Sequence, residues 1–169
     1  MGPEPVHVPG EHVLERVGIV GGGTAGRGIA RAFAHAGVDV VLVEASDHRL
    51  ELALEHLRES MGRDIARWSI TEAERDAVLA RVKGRVSLEA IQGLPLVIEA
   101  IFEDRKEKET LFRDLDTLCE PGTVIITNTS TLSVTRLADA LHPRRRPYLV
   151  GLHFLHPVTR VGGVELVRG

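Results

Sequence analysis

The sequence predicts an α/β protein, a doubly wound and mostly parallel sheet with helices on both faces. Three observations predict it. Short apolar runs alternate with longer amphipathic stretches along the whole chain. The first run, around Val17, Ile19 and Val20, opens directly into a G-x-G-x-x-G pattern at Gly21, Gly23 and Gly26. The second run, Val38 to Val43, ends in an acid, Glu44.

Residues 1–15 hold three prolines and two glycines ahead of the first apolar run and read as a flexible leader. Ala30, Phe33 and Ala34 follow the glycines at helical spacing, and Gly37 stands where a helix ends. Leu50 to Trp68 reads as a long helix with Leu50, Leu54, Leu57 and Met61 on one side. Thr71 to Glu74 has the pattern of a capping box and starts a helix through Val82; Gly84 is expected to end it and Arg85 to Leu88 to form a short strand. Leu94 to Ile101 is the next buried strand and Asp104 to Cys119 the next helix, with Leu111, Leu115 and Leu118 inward. Pro121-Gly122 turns the chain into a strand at Thr123 to Thr127, which runs into Asn128-Thr129-Ser130-Thr131. Ser133 is placed to cap a short helix through Ala140, and strands are expected at Tyr148 to Phe154 and Val161 to Val167. The proline-bounded run Arg144-Arg145-Arg146 reads as solvated surface, with a phosphate contact as the alternative.

With 169 residues the chain is long enough for one domain with a real core and too short for two large ones. Hydrophobic content of 43% and charged content of 27% are those of a globular protein, and a net charge of −3 offers no surface for nucleic acid or an anionic membrane. The single cysteine, Cys119, excludes an internal disulfide and fits a reducing compartment, so a cytoplasmic location is expected. Its place beside an apolar helix face reads as a buried, inert thiol.

The glycines give the first functional reading. Gly21 permits a tight turn, Gly23 lets backbone N–H groups approach a pyrophosphate, and Gly26 lets helix and strand pack closely. The loop Gly21, Gly22, Gly23, Thr24, Ala25, Gly26 then delivers the phosphates to a helix N-terminus, where unpaired N–H groups and the macrodipole favour an anion. A carboxylate at Glu44 accepts hydrogen bonds from an adenosine ribose and repels a 2′-phosphate, so NAD is expected over NADP. This is a Rossmann-type nucleotide-binding unit. Further polar residues stand at the strand ends where ligands of such sheets lie: Glu99 and Glu103, then Asn128 to Ser130, then His153 and His156. A neutral histidine there can take a proton from an alcohol while the hydride goes to nicotinamide, given a partner such as Glu165 on its other ring nitrogen. From spacing alone His153 fits a core histidine equally well, and Ser130 fits an ordinary turn serine. His153-x-x-His156 with Glu165 has the composition of a metal site, but positions i and i+3 of a strand face opposite ways, and no metal is expected.

The quoted residues resemble the 3-hydroxyacyl-CoA dehydrogenases, specifically their N-terminal NAD-binding domain, over about residues 16–169. The likeness rests on G-I-V-G-G-G-T-A-G-R-G-I-A, V-I-E-A-I-F-E-D-R-K-E-K, T-N-T-S-T-L-S-V-T, G-L-H-F-L-H-P-V and V-E-L-V-R-G, in that order and spacing. The resemblance implies that His153 is the catalytic base, Glu165 the carboxylate that orients it, and Ser130 a contact to substrate hydroxyl and nicotinamide. It places Glu44 on the ribose, Glu103 and Lys108 along the NAD site, His156 against the cofactor, and Ser60 and Arg67 on the helix that touches CoA. The implied reaction is reversible oxidation of a 3-hydroxyacyl thioester, on CoA or a carrier protein, to the 3-oxoacyl thioester. Three departures stand out: His156 replaces a family asparagine, Gly162-Gly163 loosens the approach to Glu165, and Arg67 replaces a lysine. The family's helical C-terminal domain, which adds active-site and dimer surface, is not in the sequence, so a separate helical domain or a homodimer is the expected partner. The surface around Val158 to Leu166 is then expected to be apolar. Rival readings are a non-catalytic NAD-binding module and a β-hydroxyacid dehydrogenase that relies on a lysine elsewhere.

Overall fold

The computed structural model describes residues 14–155, 157, 158 and 163–167. Residues 1–13 of the leader, His156, residues 159–162 with Gly162, and residues 168 and 169 lie outside the described residues. The chain runs β1 (Arg16–Val20), α1 (Thr24–His35), β2 (Asp39–Val43), α2 (Asp47–Ala66), α3 (Glu72–Arg81), β3 (Val82–Arg85), β4 (Leu96–Glu99), α4 (Arg105–Leu118), β5 (Val124–Thr127), α5 (Val134–Ala138), β6 (Leu149–Phe154) and β7 (Val164–Val167). The sheet order is β3-β2-β1-β4-β5-β6-β7. All neighbours pair parallel except β6 and β7, which are antiparallel. The chain winds outward from β1 to β3 and then crosses back to β4, so the strand order reverses between β1 and β4. That reversal opens a crevice at the carboxyl ends of the central strands.

Alternation along the strands sorts side chains onto two faces. Val17, Ile19, Leu42 and Ile98 pack with Ile29, Ala30, Leu57, Met61 and Val78 of the α1–α3 layer. Val20, Val41, Val97 and Ile125 pack with Phe112 and Leu115 of α4 and Leu137 of α5. Phe112 and Leu115 are fully buried, each contributing roughly 2 kcal/mol of burial. Among the described residues no helix is long and apolar enough to cross a membrane. Cys119 is buried, and burial pushes its thiol above the usual range, as expected for an inert thiol.

Local signals place most helix starts. Ser46, Asp104 and Ser133 accept from the first-turn N–H groups of α2, α4 and α5. Thr71 and Glu74 form the full reciprocal capping box on α3. Two expectations are corrected. Gly84 does not end a helix; α3 passes directly into β3, and Gly84 lies within it because β3 pairs with β2 from Val82 to Arg85. A Cβ on Gly84 would sit 2.7 Å from Leu50 Cδ1, so the glycine admits the α2 side chain onto the edge strand. Arg145 is neither solvated nor a phosphate contact. It is 8% exposed and donates to Asp116 Oδ1 at 2.8 Å, the Glu120 carbonyl at 2.9 Å and the Cys119 carbonyl at 2.7 Å. It is a cation closing the C-terminus of α4, where unpaired carbonyls and the macrodipole favour positive charge.

The end of α2 is unusual. Trp68 N donates to Ile65 O and Ser69 N to Asp64 O, both at 2.9 Å, the paired bonds of a Schellman turn. The left-handed position, normally glycine, is held by Trp68 at φ 58°, and the indole is 96% exposed. An L-residue there carries a steric cost with no packing to offset it. Trp68→Gly is therefore expected to stabilise the fold by about 1 kcal/mol in urea unfolding followed by circular dichroism. An unchanged or lower midpoint would show that the turn is unstrained.

Candidate functional site

The crevice at the β1/β4 reversal is floored by the glycine loop. Gly21 has φ 103°, and a Cβ there would sit 2.6 Å from the Ala100 carbonyl oxygen. A Cβ on Gly26 would sit 1.8 Å from Gly21 O, so the first turn of α1 lies directly against the end of β1. A Cβ on Gly23 meets no described atom within 4 Å, so its backbone faces open space. No side chain caps α1 and no acidic residue occupies its first turn, which leaves the N–H groups after Gly23 free for an anion. Arg27 donates to Gly22 O at 2.8 Å, adding a cation beside the loop. Burial pulls its guanidinium below the usual range, and the neighbouring Glu44 partly offsets this.

At the end of β2, Glu44 Oε1 accepts from Gly22 N at 2.5 Å and Oε2 accepts from Ala45 N at 3.1 Å. The carboxylate is thus held at the lip of the loop. A cavity of about 760 Å³ extends from Gly21, Gly23, Thr24 and Ala25 past Glu44 to Phe102 and Glu103. This fits a dinucleotide: a tight turn with no room for a Cβ on Gly21 or Gly26, an uncapped helix terminus suited to a diphosphate, and an acid suited to a ribose. With Glu44 after β2 on one side of β1, the crevice continues on the other side over the ends of β4 and β5, where the second half of a dinucleotide would lie.

That second half is organised by carboxylates. Glu103 Oε1 accepts from Thr129 Oγ1 at 2.5 Å, Ser130 N at 3.1 Å, Thr131 N at 3.2 Å and Thr131 Oγ1 at 3.0 Å. Burial acts to raise the Glu103 carboxyl, but the Thr129 bond, Lys108 and Thr131 outweigh it and hold it down at about 2. Lys108 departs from expectation. It is 1% exposed and does not line the cavity; its ammonium lies 2.5 Å from Glu99 Oε1 and 3.2 Å from Glu103 Oε2.

Ser130 is exposed at the end of β5, and His153 stands on the adjacent β6. Asn128 ties the two together, its Oδ1 accepting from Phe154 N at 3.1 Å. His153 and Glu165 are direct partners across the antiparallel β6/β7 pair, which puts both side chains on one face of the sheet. His153 Nδ1 is buried and, among the described residues, has no hydrogen-bond partner. The expected contribution of His156 lies outside the described residues. Among those described, no three His, Cys, Asp or Glu side chains cluster as a metal site.

Ser60 of α2 and Arg67 just beyond its end line a separate groove of about 460 Å³ against Thr24, Arg27 and Gly28 of α1. Sequence reasoning named Asn128 and Glu99 among the strand-end polar residues, but it missed the bond of Asn128 to Phe154 N, that of Thr127 to Glu99 and the cavity wall at Phe102.

The model of the 3-hydroxyacyl-CoA dehydrogenase NAD binding domain matches residues 16–169. The chain is 34% identical over 157 residues to a 3-hydroxybutyryl-CoA dehydrogenase of Bradyrhizobium diazoefficiens, covering 93% of this chain and 53% of that protein. It is 32% identical over 163 residues to the fatty acid oxidation complex subunit alpha of Acinetobacter baylyi, covering 96% of this chain and 22% of that one. The crystal structure of (S)-3-hydroxybutyryl-CoA dehydrogenase from Ralstonia eutropha is similar with a TM-score of 0.86 and 36% identity, over 92% of this chain and 54% of that chain. The chain thus spans about half the length of those dehydrogenases and about a fifth of the alpha subunit.

Proposed function

Since the chain belongs to the family of 3-hydroxyacyl-CoA dehydrogenase NAD-binding domains, we propose that it serves NAD-dependent oxidation of a 3-hydroxyacyl thioester to the 3-oxoacyl thioester. The observation that carries the catalytic reading is the cross-strand pair His153–Glu165, with a buried, unpartnered Nδ1 on the histidine. Bound NAD supplies a hydride acceptor. His153 removes the hydroxyl proton as the carbon-bound hydrogen leaves as hydride, so the alcohol loses two electrons and two hydrogens. Glu165, once on Nδ1, selects the tautomer whose Nε2 is free to act and stabilises the imidazolium that forms. Ser130 holds the substrate oxygen. Glu44 carries the adenosine ribose, and the first turn of α1 carries the diphosphate.

The CoA carrier is favoured over a carrier protein by the groove at Ser60 and Arg67, where the Arg67 cation makes no ion pair among the described residues. The relatives' greater length supports a helical C-terminal domain as the partner that completes the acyl site. The exposed Val164, Leu166 and Val167 of β7 offer it an apolar edge. The rival reading is an NAD-binding module without turnover.

NADH oxidation with acetoacetyl-CoA separates them, measured for the chain alone and with a relative's helical domain added. Turnover in either case supports the dehydrogenase. No turnover in both, with NADH binding intact by calorimetry, supports the module and overturns the catalytic reading for this chain.

A further inference from the structure

Gly22 is gripped on both sides by charged side chains. Its N–H donates to Glu44 Oε1 at 2.5 Å, and its carbonyl accepts from Arg27 Nη1 at 2.8 Å. The neighbouring backbone groups are engaged too: Gly21 N donates to Val43 O at 2.9 Å, and Gly23 O accepts from Arg27 N at 3.0 Å. Gly23 N–H is the exception, with no acceptor among the described residues.

Arg27 stands where a cation is disfavoured twice. It lies in the first turn of α1, against the sense of the macrodipole, and burial acts against its charge as well. Among the described residues its guanidinium makes one hydrogen bond, to Gly22 O. Arg27 lines the α1–α2 groove and not the cavity that runs past Glu44, so it reaches that cavity only through the loop. In a planar trans peptide the C=O and the N–H point opposite ways. Holding Gly22 O back toward α1 therefore turns the Gly23 N–H outward, where a Cβ on Gly23 would meet no described atom within 4 Å. A costly cation that aims a donor the fold leaves unused fits an anionic ligand.

We propose that Arg27 is a positioning residue: by holding the Gly22 carbonyl it presents the Gly23 N–H to the diphosphate of NAD. This rests on the reading of the chain as an NAD-binding domain. Arg27 acts through the peptide and touches neither cofactor nor substrate.

The test is NADH affinity by calorimetry in Arg27→Met and Arg27→Lys, at about 0.05 M and about 0.5 M salt. Arg27→Met keeps the apolar stem and removes the donor. It is expected to lower NADH affinity about tenfold at both salt concentrations, with the melting temperature unchanged within about 2 °C. Arg27→Lys keeps a donor for Gly22 O and should stay within about threefold of the unaltered chain. The Gly23 amide resonance of the free protein should move in the methionine variant and return in the lysine one. Wild-type NADH affinity in Arg27→Met would overturn the proposal and leave Arg27 to the neighbouring groove. A loss that fades at high salt would overturn it too, because the residue would then act as a charge. A loss matched by a lower melting temperature, without rescue by lysine, would reduce Arg27 to a support of the fold. Failure of the unaltered chain to bind NADH would instead sink the NAD-binding reading, and the proposal with it.

Discussion

Replacing His153 by alanine is expected to cut turnover about a thousandfold, in whichever form of the protein turns over, and to leave NADH affinity nearly unchanged. The reason is positional. His153 lies on β6, the last strand in a parallel pairing, and is paired with Glu165 across the only antiparallel pairing among the described strands. It has no part in the glycine loop or the Glu44 contact proposed to hold the nucleotide. Glu165→Gln keeps the shape and removes the charge that would stabilise an imidazolium, so it should lose rate as well, though less than the histidine variant. Steady-state rates with acetoacetyl-CoA and NADH, beside calorimetric affinities, give the answer. Retained turnover in His153→Ala would assign the base elsewhere.

The second large effect belongs to Gly26. An alanine there places a methyl 1.8 Å from Gly21 O and 2.9 Å from Gly21 C, backbone atoms that cannot yield as the end of a flexible side chain would. The loop must open, taking the first turn of α1 off the end of β1, and NADH affinity should fall about a hundredfold or more with a loss of thermal stability. Gly23→Ala is the matched control. Its methyl enters open space, so the melting temperature should hold while NADH binding weakens, because that space is the one proposed for the diphosphate. Wild-type NADH affinity in Gly26→Ala would mean that the nucleotide does not use this loop.

The contrast between these glycines also explains how far the sequence could be read. The βαβ unit was legible because its constraints are local: turn, close approach and helix start fall within six residues, and each excludes a side chain. Capping residues were legible for the same reason, as Thr71 with Glu74 shows. Arg145 and Lys108 were not. Both look like surface cations in the sequence, and what buries them is long-range: Arg145 meets the end of α4, and Lys108 meets Glu99 of β4 and Glu103 of the loop after it. The strand-end residues offered the His153–Glu165 pairing as one option and the resemblance selected it, since the register of β6 against β7 depends on the connection between them. The β3 boundary slipped because Gly84 signals a stop, and only pairing with β2 turns it into a strand residue.

Trp68 has an optical consequence. It is the sole tryptophan, and its indole already lies in water in the native state. Its emission should therefore resemble that of the unfolded chain and stay nearly silent through denaturation. An emission change on folding would instead report the turn at the end of α2, and the integrity of the core has to be followed by another signal, such as circular dichroism.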